Sequence, residues 1–224
     1  TAISTGMITT VAGTGTAGYN SDGIAATTAH LNYPNEVAFD SAGNLFIADW
    51  LNHRVRKVNK LTGIITTITG TGVAGWNGDN IPASTSQING PCGIIFDSTG
   101  NIYIAEYYGD RIRKITLGTD LITTIAGNAV PGFSGDGGVA SAAQLDHPAY
   151  LSFDAAGNMY IGDATNYRIR KIAAGSGIIS TIAGTGNPGY NGDGIAPTSA
   201  WLNQAYHPYF NNNDCNMYIA DTYN

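Results

Sequence analysis

The chain carries ten Lys and Arg residues, and all of them fall in three short clumps: Arg54, Arg56, Lys57 and Lys60; Arg111, Arg113 and Lys114; Arg168, Arg170 and Lys171. Clustered guanidinium groups can hold phosphate or carboxylate through paired N–H donors. The acids are ordered too. Of 16 Asp and Glu, only Glu36, Asp110, Asp120 and Asp146 lie outside three series. These are Asp22, Asp79, Asp136 and Asp193; Asp40, Asp97, Asp154 and Asp214; and Asp49, Glu106, Asp163 and Asp221. The first series stands in turn sequences such as "NSDG" and "NGDG", which supply oxygens of the kind calcium takes. One carboxylate per loop is few for a cation that needs about 6–8 oxygens. A turn in which the Asp accepts backbone N–H groups is therefore expected. His147, His207 and Glu36 offer the imidazole and carboxylate that zinc uses, but no motif fixes their separation, and neither metal nor cofactor is expected. No GxSxG, CxxC or P-loop pattern is present.

Spacing decides what the clumps are. Arg54, Arg111 and Arg168 stand 57 residues apart, and an internal period takes precedence over length as a guide to architecture. At that offset "GMITTVAGTGTAGYN" aligns with "GIITTITGTGVAGWN", "DLITTIAGNAVPGFS" and "GIISTIAGTGNPGYN". The register holds until "NNNDCN", where one residue is inserted. The repeats cover about 6–62, 63–119, 120–176 and 177–224, the last incomplete, and 1–224 reads as one domain. Groups that recur in every unit hold the unit together. Asp49, Glu106 and Asp163 are each followed after a short loop by Arg54, Arg111 and Arg168. A bidentate pair between the second and third strands is expected at each.

Each unit must supply the elements that place these side chains. "EVAFD" (36–40), closed by the turn "SAGN", reads as a first strand and "LFIAD" (45–49) as a second. "RVRKVN" (54–59) alternates charge with Val and reads as a half-exposed third, with "IITTITG" (64–70) as a fourth. The excess over a 40–50-residue blade repeat lies in the connector, where "AATTAHL" and its counterparts predict a turn or two of helix. The expected fold is all-β: a β-propeller of four-stranded antiparallel blades. The ends match "ADWLN" (48–52) and "VNKLTGIITTITG" (58–70), which predicts three full blades, two incomplete ones and a longer parent array.

"PNEVAFDSAGNLFIADWLNHRVRKV", "PCGIIFDSTGNIYIAEYYGDRIRKI" and "PAYLSFDAAGNMYIGDATNYRIRKI" resemble the NHL repeat, and "HPYFNNNDCNMYIADTYN" begins a fourth copy. The resemblance covers essentially the whole chain. It implies a propeller, most often six-bladed, without fixing a function, since such propellers serve as binding platforms, receptor ectodomains and some lyases.

The repeat loses its discipline on one rim. The column of Tyr33 continues as Gly90, His147 and Gln204, and that of Asn35 as Cys92, Ala149 and Tyr206. Glu36 stands where the family pattern has Gly, and its column continues as Gly93, Tyr150 and His207. Trp50 is followed by Tyr107, Ala164 and Thr222. Variation confined to one rim is how a repeat protein carries a site. Candidate ligand-binding residues are therefore Tyr33, Asn35, Glu36, Trp50, Cys92, Tyr107, His147, Tyr150, Tyr206 and His207. No catalytic residue is assigned. Cys92 and Cys215 fall at opposite ends of strands about 17–20 Å long and are expected to be unpaired.

The reading is a non-catalytic binding or scaffold module of a secreted or surface bacterial protein, extracellular or periplasmic, that recognises a protein or glycan. The alternative is a lyase or lactone hydrolase with a channel metal. A net charge of -6 and pI of about 4.9 argue against nucleic acid as partner. No apolar run reaches the roughly 18–20 residues that a bilayer span needs.

Overall fold

The 57-residue period becomes a series of antiparallel sheets in the computed structural model, which describes residues 6–224. Residues 1–5, at the start of the 1–224 domain reading, lie outside the described residues. Blade one contains Pro34–Phe39, Leu45–Asp49, Arg54–Val58 and Ile64–Thr69 from the inside outward. Blade two repeats them as Pro91–Phe96, Ile102–Glu106, Arg111–Thr116 and Leu121–Ala126, and blade three as Pro148–Phe153, Met159–Asp163, Arg168–Ile172 and Ile179–Ala183. Blade four has two strands, Ala205–Asn211 and Asn216–Asp221. The inner strands pack against one another in that order, one to two, two to three and three to four.

The connector departs from expectation. Each predicted helix is a single 3-10 turn, as at Ala26–Thr28 and Ala83–Thr85. Immediately before it, Ile24–Ala25 and Ile81–Pro82 pair with the outer edges of blades one and two as a fifth strand. Val139 forms the same bridge to Ile178 in blade three. The connector therefore covers an edge that would otherwise expose unpaired N–H and C=O groups. It leaves the blade through Gly70, Gly127 and Gly184, where a Cβ would stand 2.1 Å from the carbonyl oxygens of His53, Asp110 and Tyr167. The first copy of the fourth-strand sequence, Met7–Val11, forms no strand, and Met7, Ile8 and Val11 are exposed.

The third strand is not half-exposed. Arg56, Arg113 and Arg170 are each 0% exposed. These, not Arg54, Arg111 and Arg168, meet the acids that close the second strands. Asp49 and Arg54 are directly paired in register, but Arg54 turns its guanidinium outward. It donates to Thr71 O at 2.8 Å and lies 3.9 Å from the centre of the Tyr19 ring. Arg56, diagonal to Asp49 on the same face, reaches back to it at 3.5 Å and to Asp22 at 2.9 Å. Arg113 stands 3.1 Å from both Glu106 and Asp79, while Arg170 is 3.1 Å from Asp163 and 2.7 Å from Asp136. Asp22, Asp79 and Asp136 thus each take a guanidinium, with Thr67 Oγ1 also donating to Asp22 and both N and Oγ1 of Thr124 to Asp79. The diagonal reach of a long side chain across two strands is what makes the clamp.

Between blades the core is aliphatic and aromatic. Phe46 meets Phe96, Tyr103 meets Phe153 and Tyr160 meets Phe210, with ring centres 4.9–5.4 Å apart. The clefts flanking these pairs recur. One of about 510 Å³ is lined by Phe46, Lys57, Ile68 and Phe96. Its counterpart 57 residues on is lined by Tyr103, Lys114, Ile125 and Phe153. A cleft rebuilt at two successive blade boundaries belongs to the scaffold.

Candidate functional site

The rim is built by two local devices. Each inner strand is preceded by a residue in the left-handed region: Tyr33, Gly90, His147 and Gln204 have φ between 50 and 64°. Each strand then carries a bulge within its first residues, between Pro34 and Val37, Pro91 and Gly93, Pro148 and Leu151, and Ala205 and His207. A bulge re-aims side chains at a strand end, and the re-aimed positions are those where the repeat varies.

Seven of the ten expected residues meet in one cavity of about 400 Å³: Asn35, Trp50, Cys92, Tyr107, Tyr150, Tyr206 and His207, joined by Ala220 and Thr222. All four blades contribute to it. Its walls are aromatic. Trp50 packs edge-on to Tyr107 at 5.6 Å, Tyr107 faces Tyr206 at 6.5 Å, and Tyr150 stacks on His207 at 4.9 Å. Tyr150 Oη donates to Asn35 Oδ1, tying blade three to blade one. Cys92 is 2% exposed and packs with Ala149 and Ala164 beneath Tyr107, Tyr150 and Tyr206. Both cysteines are free thiols, as expected from their separation.

The other three residues sit elsewhere. Tyr33 is exposed and borders a separate groove with Leu31 and Thr14. Glu36 lies behind the wall, where Oε2 accepts the Ile94 N–H at 2.6 Å. His147 is held by its neighbours: its N–H donates to Asp110 at 2.9 Å, and Nδ1 stands 2.7 Å from Asp146. Asp110, Asp146 and His147 bring ligand-type atoms within 4.8 Å of one another. Each is engaged in hydrogen bonds within the group, as befits a clasp on the left-handed His147. Glu36, His147 and His207 are not gathered into a common ligand set among the described residues.

Burial sets the charges. It pushes the Glu36 carboxyl up to about 7, against the pull of the Ile94 N–H. It raises the Cys92 thiol to about 12, helped by the nearby Glu36 charge, so this thiol stays protonated and is no nucleophile at neutral pH. Burial also lowers His207, leaving it neutral. The cavity is therefore a neutral aromatic box with one titrating carboxyl behind it.

Sequence reasoning missed Tyr108, which stacks on Trp50 at 5.5 Å. The doublet "YY" at 107–108, against "WL" and "AT" in the neighbouring units, was the available signal. It also missed a compensation in the adjoining loop. Asn52 and Asn166 donate to Asp49 and Asp163 at 2.8 and 2.9 Å. In blade two the longer Glu106 is matched by Gly109, where a Cβ would fall 2.4 Å from Glu106 Oε2.

The model of the NHL repeat matches residues 31–58. NHL repeat-containing protein 2 of Gallus gallus is 33% identical over 109 residues, 48% of this chain and 14% of that protein. The chain belongs to the NHL-repeat family. This NHL-repeat chain is also 30% identical over 193 residues to protein SUPPRESSOR OF QUENCHING 1, chloroplastic, of Arabidopsis thaliana, covering 82% of the chain and 18% of that protein. Among solved structures, an auxiliary nutrient binding protein from Bacteroides ovatus superposes with a TM-score of 0.64 at 19% identity, over 86% of this chain and 46% of that one. Virginiamycin B lyase from Staphylococcus aureus gives 0.51 at 18%, over 83% and 47%. A gluconolactonase from Xanthomonas campestris gives 0.57 at 11%, over 86% and 55%. These likenesses speak to the propeller fold. The NHL-repeat chain spans less than a fifth of these curated relatives and about half of these solved structures.

Proposed function

We propose that this NHL-repeat chain is a non-catalytic extracellular or periplasmic binding module that recognises a protein or glycan on its variable rim. One observation carries the reading: seven positions that break the repeat converge on a single aromatic cavity of about 400 Å³. Tyr and Trp offer large apolar faces with polar tips at low entropic cost, which suits recognition of a ring or side chain inserted from a larger ligand. The likeness to a nutrient-binding protein supports this direction. The single-domain reading of the chain, and its place in a longer, six-bladed ring, belong to the same proposal.

The test is a glycan-array and peptide-array screen with the wild-type chain and with Trp50→Ala and Tyr107→Ala. Ligand capture that disappears in both variants while their urea midpoints hold supports the reading. Capture that survives the loss of both rings removes the cavity from it.

A second reading has one observation in its favour. A carboxyl titrating near 7 beside the cavity is suited to proton transfer at neutral pH, as the lyase or lactone hydrolase alternative requires. Turnover of a lactone or streptogramin substrate that is lost in Glu36→Gln while the fold holds would establish the enzyme and end the binding-module reading.

A further inference from the structure

We propose that the group seated in the aromatic rim cavity is a substituted ammonium, a cation wrapped in methyl or methylene groups. The inference rests on the binding-module reading and names the chemistry of its ligand.

Three observations point there. The first is the wall geometry. Trp50 and Tyr107 stand nearly at right angles, 74° apart, and Tyr206 lies nearly parallel to Tyr107 at 22°. Rings set at right angles and nearly parallel around one cavity present both edges and faces to its occupant, and a cation is drawn to the electron-rich faces, Trp the strongest. The second is charge. No Lys or Arg lines the cavity; the guanidinium groups of Arg56, Arg113 and Arg170 are buried against acids within the blades. An anionic ligand would find no counter-charge. The third is Glu36, the acid that replaces the Gly of the repeat pattern. It lies close enough to Cys92 and Tyr150, both in the cavity wall, to perturb their ionisation. When ionised, it places a negative charge behind the aromatic box. A neutral sugar would use the rings but would gain nothing from that charge.

The experiment compares choline with 3,3-dimethylbutan-1-ol, the same shape with carbon in place of the charged nitrogen. Binding is followed through the Trp50 indole resonance by NMR at pH 8. Choline is expected to bind about tenfold more tightly than its neutral counterpart. Trp50→Phe should weaken choline, and Glu36→Gln should weaken choline while leaving the alcohol unchanged. The fold of each variant is verified by its urea midpoint. Equal affinities for the two probes would reduce the cavity to an apolar pocket and overturn the inference, as would failure of choline to move the Trp50 signal. If choline fails while array ligands still depend on Trp50 and Tyr107, the ammonium assignment alone falls. If neither probe nor array ligand binds, the binding-module reading falls with it.

Discussion

Arg170 reaches Asp136 across 2.7 Å and, with its other terminal nitrogen, Asp163 across 3.1 Å. Its side chain is completely buried, as is that of Asp163. One guanidinium thereby joins a third strand to the second strand of its own blade and to the connector that caps it. The same clamp is built by Arg56 and Arg113.

The clamp assigns different weights to neighbouring arginines. Removing one partner of a buried ion pair strands the other charge and costs about 3–5 kcal/mol. Arg56→Ala should cost that much in urea denaturation. Arg54→Ala, which loses its contact with Tyr19 and the bond to Thr71 O, should cost about 1–2 kcal/mol. Equal losses at both positions would mean that the burial of Arg56 is not what stabilises the blade.

Glu36 predicts a pH dependence. Its carboxyl is raised from 4.5 to about 7 by burial, so the folded state favours the protonated form. That stability is fully present below pH 4.5 and is lost as pH rises through about 7. Glu36→Gln keeps an oxygen for the Ile94 N–H without the charge. The variant should match the wild type near pH 4 and exceed it by about 3 kcal/mol at pH 8, read from urea midpoints at each pH. Curves that stay parallel across that range would show that Glu36 is not the titrating group.

The two thiols should differ in reactivity. Cys92 is buried, with its thiol held near 12, whereas Cys215 is exposed. Ellman's reagent at pH 8 should modify one thiol promptly in the folded chain and two in urea. Rapid modification of both without denaturant would place Cys92 at an accessible surface.

Gly93 and Gly162 mark where blades approach backbone to backbone. A Cβ at Gly93 would lie 2.5 Å from Ala149 O, and one at Gly162 would lie 2.1 Å from Tyr206 O. Neither needs a positive φ, so the penalty for Ala is purely steric. Gly162→Ala should cost about 1–3 kcal/mol or more, measured by thermal or urea unfolding. Gly175→Ala, which meets no atom within 4 Å but has φ of +77°, serves as a contrast, because its penalty is conformational.

The sequence by itself determined the 57-residue unit, the four strands within it and the columns that repeat or vary. These are local matters: alternation of apolar residues, Gly and Asn at turns, and acids and bases at fixed offsets. It pointed to the rim as well, because columns such as Trp50/Tyr107 and Asn35/Tyr206 depart from their own repeat. The tertiary structure decided which groups meet. Arg54 follows Asp49 in the chain and opposes it in register, yet Arg56 takes the acid. The diagonal neighbour is the one whose side chain runs inside the blade, and a buried charge must find its counter-charge where the first reaches water. In the same way, spacing grouped Glu36, His147 and His207 as interchangeable rim residues. Only packing turned Glu36 to Ile94, clasped His147 to Asp110 and laid His207 on Tyr150. Those directions depend on bulges and on neighbouring blades, contacts that lie 37 to 58 residues away in sequence and leave no local pattern to read.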